Sequence, residues 1–418
     1  MEKCEPIYFL RVNPPGWKRS SLPKLQATAM ELVSACALQR EDLLQMTWSQ
    51  RHEYLSAFAL FRQKERWEHE TGIKPEASSF TLIVPIYNEE NSLPSFLHTL
   101  MLSDIPAQVS MQVIFVTNMC VDRSVEYIRA FMAHLGEVEF QDILDDFGDQ
   151  NMDRRYAVVR RDRHIYMHIN TSSPGKAHAL DIGNRIALRS GHIIAMSLDA
   201  NNFIEPDALR MMFSRAYRNF KEKLEARDTV LCSAVGKESL KDSRFTGMLK
   251  KISAVQRHLV DVGDGVVNGW MFAWNTTWMH SIGGPPEVAL EDYALGVLAR
   301  TRGFKIAQAE DVNVWGYVNN DFKGLFMTRA RYVRGKLQIL DYVHQEPATL
   351  AIIEQEAFYM KKFAFRLQHV FAKLVAHPLH AGRYIATFLL WEFAIWQGTH
   401  DYKQNPKNQS WEKIASTY

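Results

Sequence analysis

FTLIVPIYNEENSLPSFLHTLM, residues 80–101, passes from a near-continuous apolar run through a polar turn into apolar residues spaced three and four apart. The first part reads as a strand buried on both faces, the last as an amphipathic helix packed beside it. The same sentence is repeated downstream, where QVIFVTN (112–118) is followed by RSVEYIRAFMAHL (123–135). A further strand is expected at HIIAMSLD (192–199), followed by the helix that Pro206 opens in EPDALRMMFSRAYRNF (205–220). Short apolar strands alternating with amphipathic helices predict an α/β fold, a mostly parallel sheet covered on both faces.

In such a sheet ligands sit outside the carboxyl ends of the strands, so the polar residues closing each strand are the first candidates for chemistry. Here those ends are Pro85-Ile86-Tyr87-Asn88-Glu89, Thr117-Asn118 and Asp199-Ala200-Asn201-Asn202. A ring can stack on a base, an acid or amide can read a base edge or a ribose hydroxyl, and Asp199 with Asn201 can offer oxygens to a hard divalent cation. No Gly-rich phosphate loop follows the first strand, which argues against kinase-type and dinucleotide-type sites.

The 418 residues suffice for one large α/β domain with appended helices, and 47% of them are hydrophobic, enough for a sizeable core. With 49 Lys and Arg against 47 Asp and Glu there is no global basic field, and no nucleic-acid partner is expected. Cys4, Cys36, Cys120 and Cys232 are scattered, without the close pairs of a zinc site or the density of a disulfide scaffold, and read as reduced thiols in a cytoplasmic protein. Neither a signal peptide nor a bilayer-spanning run is expected; the most apolar stretch, YIATFLLWEFAIWQ (384–397), contains Glu392 and is too short.

Residues 22–70 carry helical periodicity and lead into TGIKPEASS (71–79), so 1–79 reads as a helical N-terminal extension and linker, a structural collar on the domain at 80–338. The remainder, 339–418, reads as a helical C-terminal extension. Its aromatic residues are interspersed with Lys361, Lys362, Arg366, Lys373 and Arg383. Capping of the core is the preferred reading because Pro378 and His380 interrupt the stretch; the competing one is peripheral contact with the inner face of an anionic membrane through Trp391, Phe393 and Trp396.

Taken in order, the motifs resemble those of family-2 glycosyltransferases with the GT-A fold, a Rossmann-like nucleotide-diphospho-sugar transferase fold, over residues 80–338. The resemblance rests on VPIYNEENSL (84–93), NMCVDRS (118–124), GKAHALD (175–181), SLDANN (197–202), the 269–295 stretch GWMFAWNTTWMHSIGGPPEVALEDYAL, and TRARYVRG (328–335). It implies an inverting transfer of a sugar from a nucleoside-diphosphate sugar, a UDP-sugar first among them, to an acceptor hydroxyl. By the same resemblance Pro85, Tyr87, Glu89 and Asn118 hold the nucleoside, and Lys176 the diphosphate. Asp199 and Asn201 hold Mg²⁺ or Mn²⁺, with Asn201 where the family's DxD motif has its second acid.

Asp292, in an ED pair with Glu291 at a helix start, is the general base that the resemblance implies; the helix dipole is expected to favour its ionised form. The last segment resembles the family's QxxRW region, with Thr328 for Gln and Tyr332 for Trp. Arg331 is assigned to the site, while Arg329 and Arg334 read as basic surface. Two rivals remain: a catalytically impaired scaffold serving as a binding protein, suggested by the amides at 118 and 201, and a nucleotidyltransferase. The latter wants a basic Gly-rich loop where this chain has Asn88-Glu89-Glu90-Asn91.

Overall fold

A computed structural model describes residues 79–105, 109–142, 153, 155–222, 229–239, 267–317, 322–343, 347–356 and 362–406. The N-terminal extension predicted over 1–79 therefore lies outside the described residues, apart from Ser79, and so do Cys4 and Cys36. Strand β1 (Ser79–Ile86) leads into α1 (Leu93–Met101), and β2 (Ser110–Asn118) into α2 (Ser124–Leu135), as the sequence predicts. Three further strands follow, β3 (Glu139–Asp142), β4 (Arg155–Arg161) and β5 (His164–Thr171), then α3 (Lys176–Arg189).

The chain continues through β6 (Ile194–Leu198), β7 (Asn202–Ile204), α4 (Ala208–Tyr217) and β8 (Thr229–Ser239). After β9 (Met271–Asn275) come α5 (Thr276–Ser281), α6 (Glu291–Thr301) and β10 (Lys305–Tyr317). Four helices complete the described chain: α7 (Phe322–Tyr342), α8 (Pro347–Glu356), α9 (Phe363–Ala376) and α10 (Ala381–Gln404).

The ten strands form one mixed sheet in the order β3-β4-β5-β2-β1-β6-β9-β8-β10-β7. Its centre, β5-β2-β1-β6, is parallel, and β9 then runs antiparallel between β6 and β8. Side chains of β1 alternate between the faces: Phe80, Leu82 and Val84 join the core under α1 and α4, whereas Ile83 joins the opposite core with Leu180 and Ile182 of α3. Helix α1 buries Leu93, Phe96, Leu97 and Leu100, one stripe at helical spacing. Gly183 brings α3 close to the sheet, since a Cβ there would lie 2.4 Å from Ile83 Cδ1. Pro85 is tolerated in a central strand because pairing of β1 with β6 ends at Ile83 opposite Ser197, so no ladder bond to β6 is lost.

Past the sheet, α7 runs unbroken through residue 338 and packs on α10, where Gly398 meets the backbone of Ala330. The capping expected of the C-terminal stretch holds for one side only. Val370, Tyr384, Phe388 and Trp391 are buried, but Phe371, Leu379, Phe393 and Trp396 are exposed.

Candidate functional site

The carboxyl ends of β1 and β2 are locked together by their two following turns. Asn88 (φ 52°) and Met119 (φ 50°) both adopt left-handed backbone, which folds each turn back on its strand. The Glu89 N–H donates to Ser124 Oγ (2.7 Å), the Glu90 N–H to Asp122 Oδ2 (3.0 Å), and the Val121 N–H to Asn88 Oδ1 (2.8 Å). Asp122 also accepts from the Ser124 N–H (3.0 Å). The acid in NMCVDRS is thus spent on holding two turns in register. Glu89 is buried and accepts from Ser92 Oγ at 2.6 Å, at the start of α1, while Tyr87 is half-buried on the rim.

Asn118 closes β2. Its Nδ2 donates to the Gly175 carbonyl (2.9 Å), and its Oδ1 is buried with no hydrogen-bond partner. A buried acceptor in that state costs about 1–3 kcal/mol, which a donor on a ligand would recover. Gly175, at φ 104°, turns the chain so that Lys176 begins α3 facing inward.

Lys176 is the hub of the site. Its buried ammonium lies 2.7 Å from Asp199 Oδ1 and 3.1 Å from Glu291 Oε1, and donates to the Gly269 carbonyl at 2.9 Å. Burial would lower its pKa, but Asp199, Glu291 and Asp292 together outweigh burial and hold it well above the ordinary lysine value. Burial raises the pKa of Asp199, with Lys176 and Arg331 opposing that rise. The turn carrying Asp199 is clamped by Trp270, whose carbonyl accepts from the Asp199 N–H (3.0 Å) and from Asn202 Nδ2 (3.3 Å).

Asp292 stands in the first turn of α6, with Oδ2 against Gly269, where a Cβ would lie 2.3 Å away. Its carboxyl is pushed up to about 6 by burial first and by repulsion from Glu291 second; Lys176 and the Tyr293 N–H only partly oppose them. The expectation that the helix start would favour the ionised form is corrected here: burial beside a second carboxylate exceeds the dipole.

The structure therefore joins Lys176, Asp199, Glu291 and Asp292 around one ammonium, brings Arg331 within electrostatic reach of Asp199, and sets Asn118 beside Gly175 at the entry to α3. The half-buried Asn201 follows in the Asp199 turn. Pro85, Tyr87 and Glu89 lie at the end of β1, which the sheet order sets between β2, closed by Asn118, and β6, which leads to Asp199. Arg329 and Arg334 do not form the expected basic surface. Arg334 is buried, and the Arg329 guanidinium lies 5.2 Å from the Trp391 ring centroid, joining α7 to α10. Gly269 and Trp270 were given no role from sequence; the signal that could have found them is a small-large pair directly before a short apolar strand, whose first residue, Met271, pairs with Leu198 next to Asp199.

Among the described residues no group of three or more His, Cys, Asp or Glu side chains is arranged to hold an ion. The Asp199 carboxylate and the Asn201 amide nevertheless fit a divalent cation shared with substrate phosphates, because such cations take one or two carboxylates and complete their shell from the ligand. Asp199 Oδ1 is held by the Lys176 ammonium at 2.7 Å, so an ion bound here would share this carboxylate with Lys176.

The sequence profile of glycosyltransferase-like family 2 matches residues 75–335. Among solved structures, the chain is similar to the mannosyltransferase PcManGT from Pyrobaculum calidifontis in complex with GDP-Man and Mn²⁺, at 17% identity and a TM-score of 0.51, covering 92% of this chain and 100% of that one. Residues 1–349 of TarS from S. aureus match at 12% identity with a TM-score of 0.38, covering 78% of this chain and 91% of that one. No curated protein sequence matches.

Proposed function

Given that the chain belongs to glycosyltransferase-like family 2, and so is a glycosyltransferase of GT-A fold acting on nucleotide-sugars, we propose that it transfers a sugar with inversion from a UDP-sugar to an acceptor hydroxyl. Inversion follows from a single base and one direct displacement. In this reading residues 80–338 form the catalytic unit, with 1–79 and 339–418 as flanking extensions. Pro85, Tyr87, Glu89 and Asn118 hold the nucleoside, the orphaned Asn118 Oδ1 accepting from the base edge.

Lys176 and Arg331 face the diphosphate. Asp199 and Asn201 would hold Mg²⁺ or Mn²⁺. Such an ion, when bound, neutralises charge on the departing nucleoside diphosphate. Asp292 takes the proton from the acceptor hydroxyl as it attacks the anomeric carbon, and Glu291 keeps Lys176 in place beside it. GDP-Man, the ligand in the similar mannosyltransferase PcManGT, is a nucleoside-diphosphate sugar and supports the donor class.

The observation that carries this reading is the Lys176 ammonium bracketed by Asp199 on one side and the Glu291-Asp292 pair on the other. Asp292→Asn is expected to lower turnover about 10²- to 10⁴-fold, the usual contribution of a general base. UDP affinity with Mn²⁺, followed by calorimetry, should stay within about threefold. Near-normal turnover would remove Asp292 from its role. Tighter binding of GDP than of UDP would reassign the base, and a hydrolysis screen of nucleotide-sugars with Mn²⁺ would then identify the sugar.

A further inference from the structure

The C-terminal hairpin of α9 and α10 presents an apolar surface that the catalytic reading does not use. Ten of the seventeen exposed large apolar side chains among the described residues lie between Phe363 and Trp396. They are ordered rather than scattered. On α9, Phe363, Leu367, Phe371 and Val375 recur every four residues, and on α10 Ile385, Leu389 and Phe393 do the same, each set forming one stripe along its helix. Leu379, in the link between the helices, is 95% exposed.

The opposite side of the hairpin is packed and braced. Val370 meets Tyr384 and Phe388 inside, and the Arg366 guanidinium holds Glu392 with two bonds of 2.7 Å. The apolar stripes are therefore held outward by two helices packed on each other, and exposed apolar side chains concentrated on one hairpin mark an interaction surface.

Charge selects the occupant. From Lys362 to Trp391 there is no Asp or Glu, while Lys362, Lys373 and Arg383 are all at least partly exposed. The next acid, Glu392, is neutralised by Arg366. A second copy of this surface would meet it with like charge, and residues 1–78 carry acids and bases in near balance, so that segment brings no net negative charge. Apolar stripes with flanking cations match the acyl-headgroup boundary of an anionic bilayer. No described helix is long and apolar enough to cross a membrane, so the match is to a surface-lying pair.

We propose that the α9–α10 hairpin docks the protein on an anionic lipid surface, with Phe371, Leu379 and Phe393 entering the acyl boundary and Lys362, Lys373 and Arg383 meeting the phosphates. The proposal is independent of the donor-site reading. It is tested by co-sedimentation of the full chain with vesicles of phosphatidylcholine alone or mixed with phosphatidylglycerol, at low and high salt. Light-scattering mass measurement without vesicles runs in parallel.

Binding is expected to be at least tenfold tighter to the anionic vesicles and to weaken with salt. The double variant F371E/F393E should lose at least tenfold in vesicle affinity, as should K373E/R383E. Both should keep the wild-type circular dichroism spectrum and melting temperature, which shows that they fold. Equal affinity for neutral vesicles, no binding to either, or unchanged binding by the folded F371E/F393E variant would overturn the proposal. So would a stable dimer without lipid that F371E/F393E dissolves, which would assign the face to a second copy.

Discussion

At the scale of single residues, the site is a balance between one buried cation and three carboxylates. Because the Asp292 carboxyl is pushed up to about 6 and the base proposed here needs its ionised form, activity is expected to fall as pH drops through about 6. Repulsion from Glu291 is one of the forces raising that value, so Glu291→Gln should shift the acid limb of the kcat/KM profile to lower pH. An unchanged limb would mean that another group controls it. Gly269 supplies the second test: a Cβ there would overlap Asp292 Oδ2, so Gly269→Ala must displace the carboxylate. That variant should lower kcat tenfold or more with little effect on donor KM, as steady-state kinetics will show. Asp199, Lys176 and the ED pair were legible as an ordered motif series. Their convergence on one ammonium was not, because Lys176 and Glu291 are 115 positions apart and only the fold sets their separation to 3.1 Å.

The elements were legible in proportion to how thoroughly they are buried. Strands β1, β2 and β6 are near-continuous apolar runs because helices cover both of their faces. Strands β3 and β4 escaped notice since EFQD and RYAVVRR are polar or charged at their ends, as antiparallel strands toward a sheet edge can be. Helix α7 shows the same limit in another form. Its role as the partner of α10 depends on Gly398, where a Cβ would come within 2.4 Å of the Ala330 carbonyl and 2.8 Å of Val333 Cβ. Backbone cannot yield as a flexible side chain can, so Gly398→Ala should separate the helices and cost about 1–3 kcal/mol. A lowered urea midpoint at unchanged slope is the expected signature.

For the whole molecule, the buried carboxylates around Lys176 carry a stability cost that depends on pH. An acid whose pKa is raised on folding stabilises the native state at low pH, and that contribution is lost as pH rises toward and past its folded value, here from the ordinary aspartate range to about 6 for Asp292. Asp292→Asn should therefore melt a few degrees above wild type at pH 8, roughly the shift that 1 kcal/mol gives. The difference should disappear near pH 4; a lower melting point at both pH values would contradict the charge balance. The parallel centre of the sheet could be anticipated from strand-helix alternation, whereas the insertion of β9 between β6 and β8 joins distant segments and leaves no local mark. The order of strands also fixes what the molecule shows at its two ends. Among the described residues β3 pairs only with β4 and β7 only with β10. At one end the three residues of β7 are buried, and at the other Glu139 and Asp142 set charge along an exposed strand, so neither offers the long apolar template from which strands of neighbouring molecules grow into aggregates.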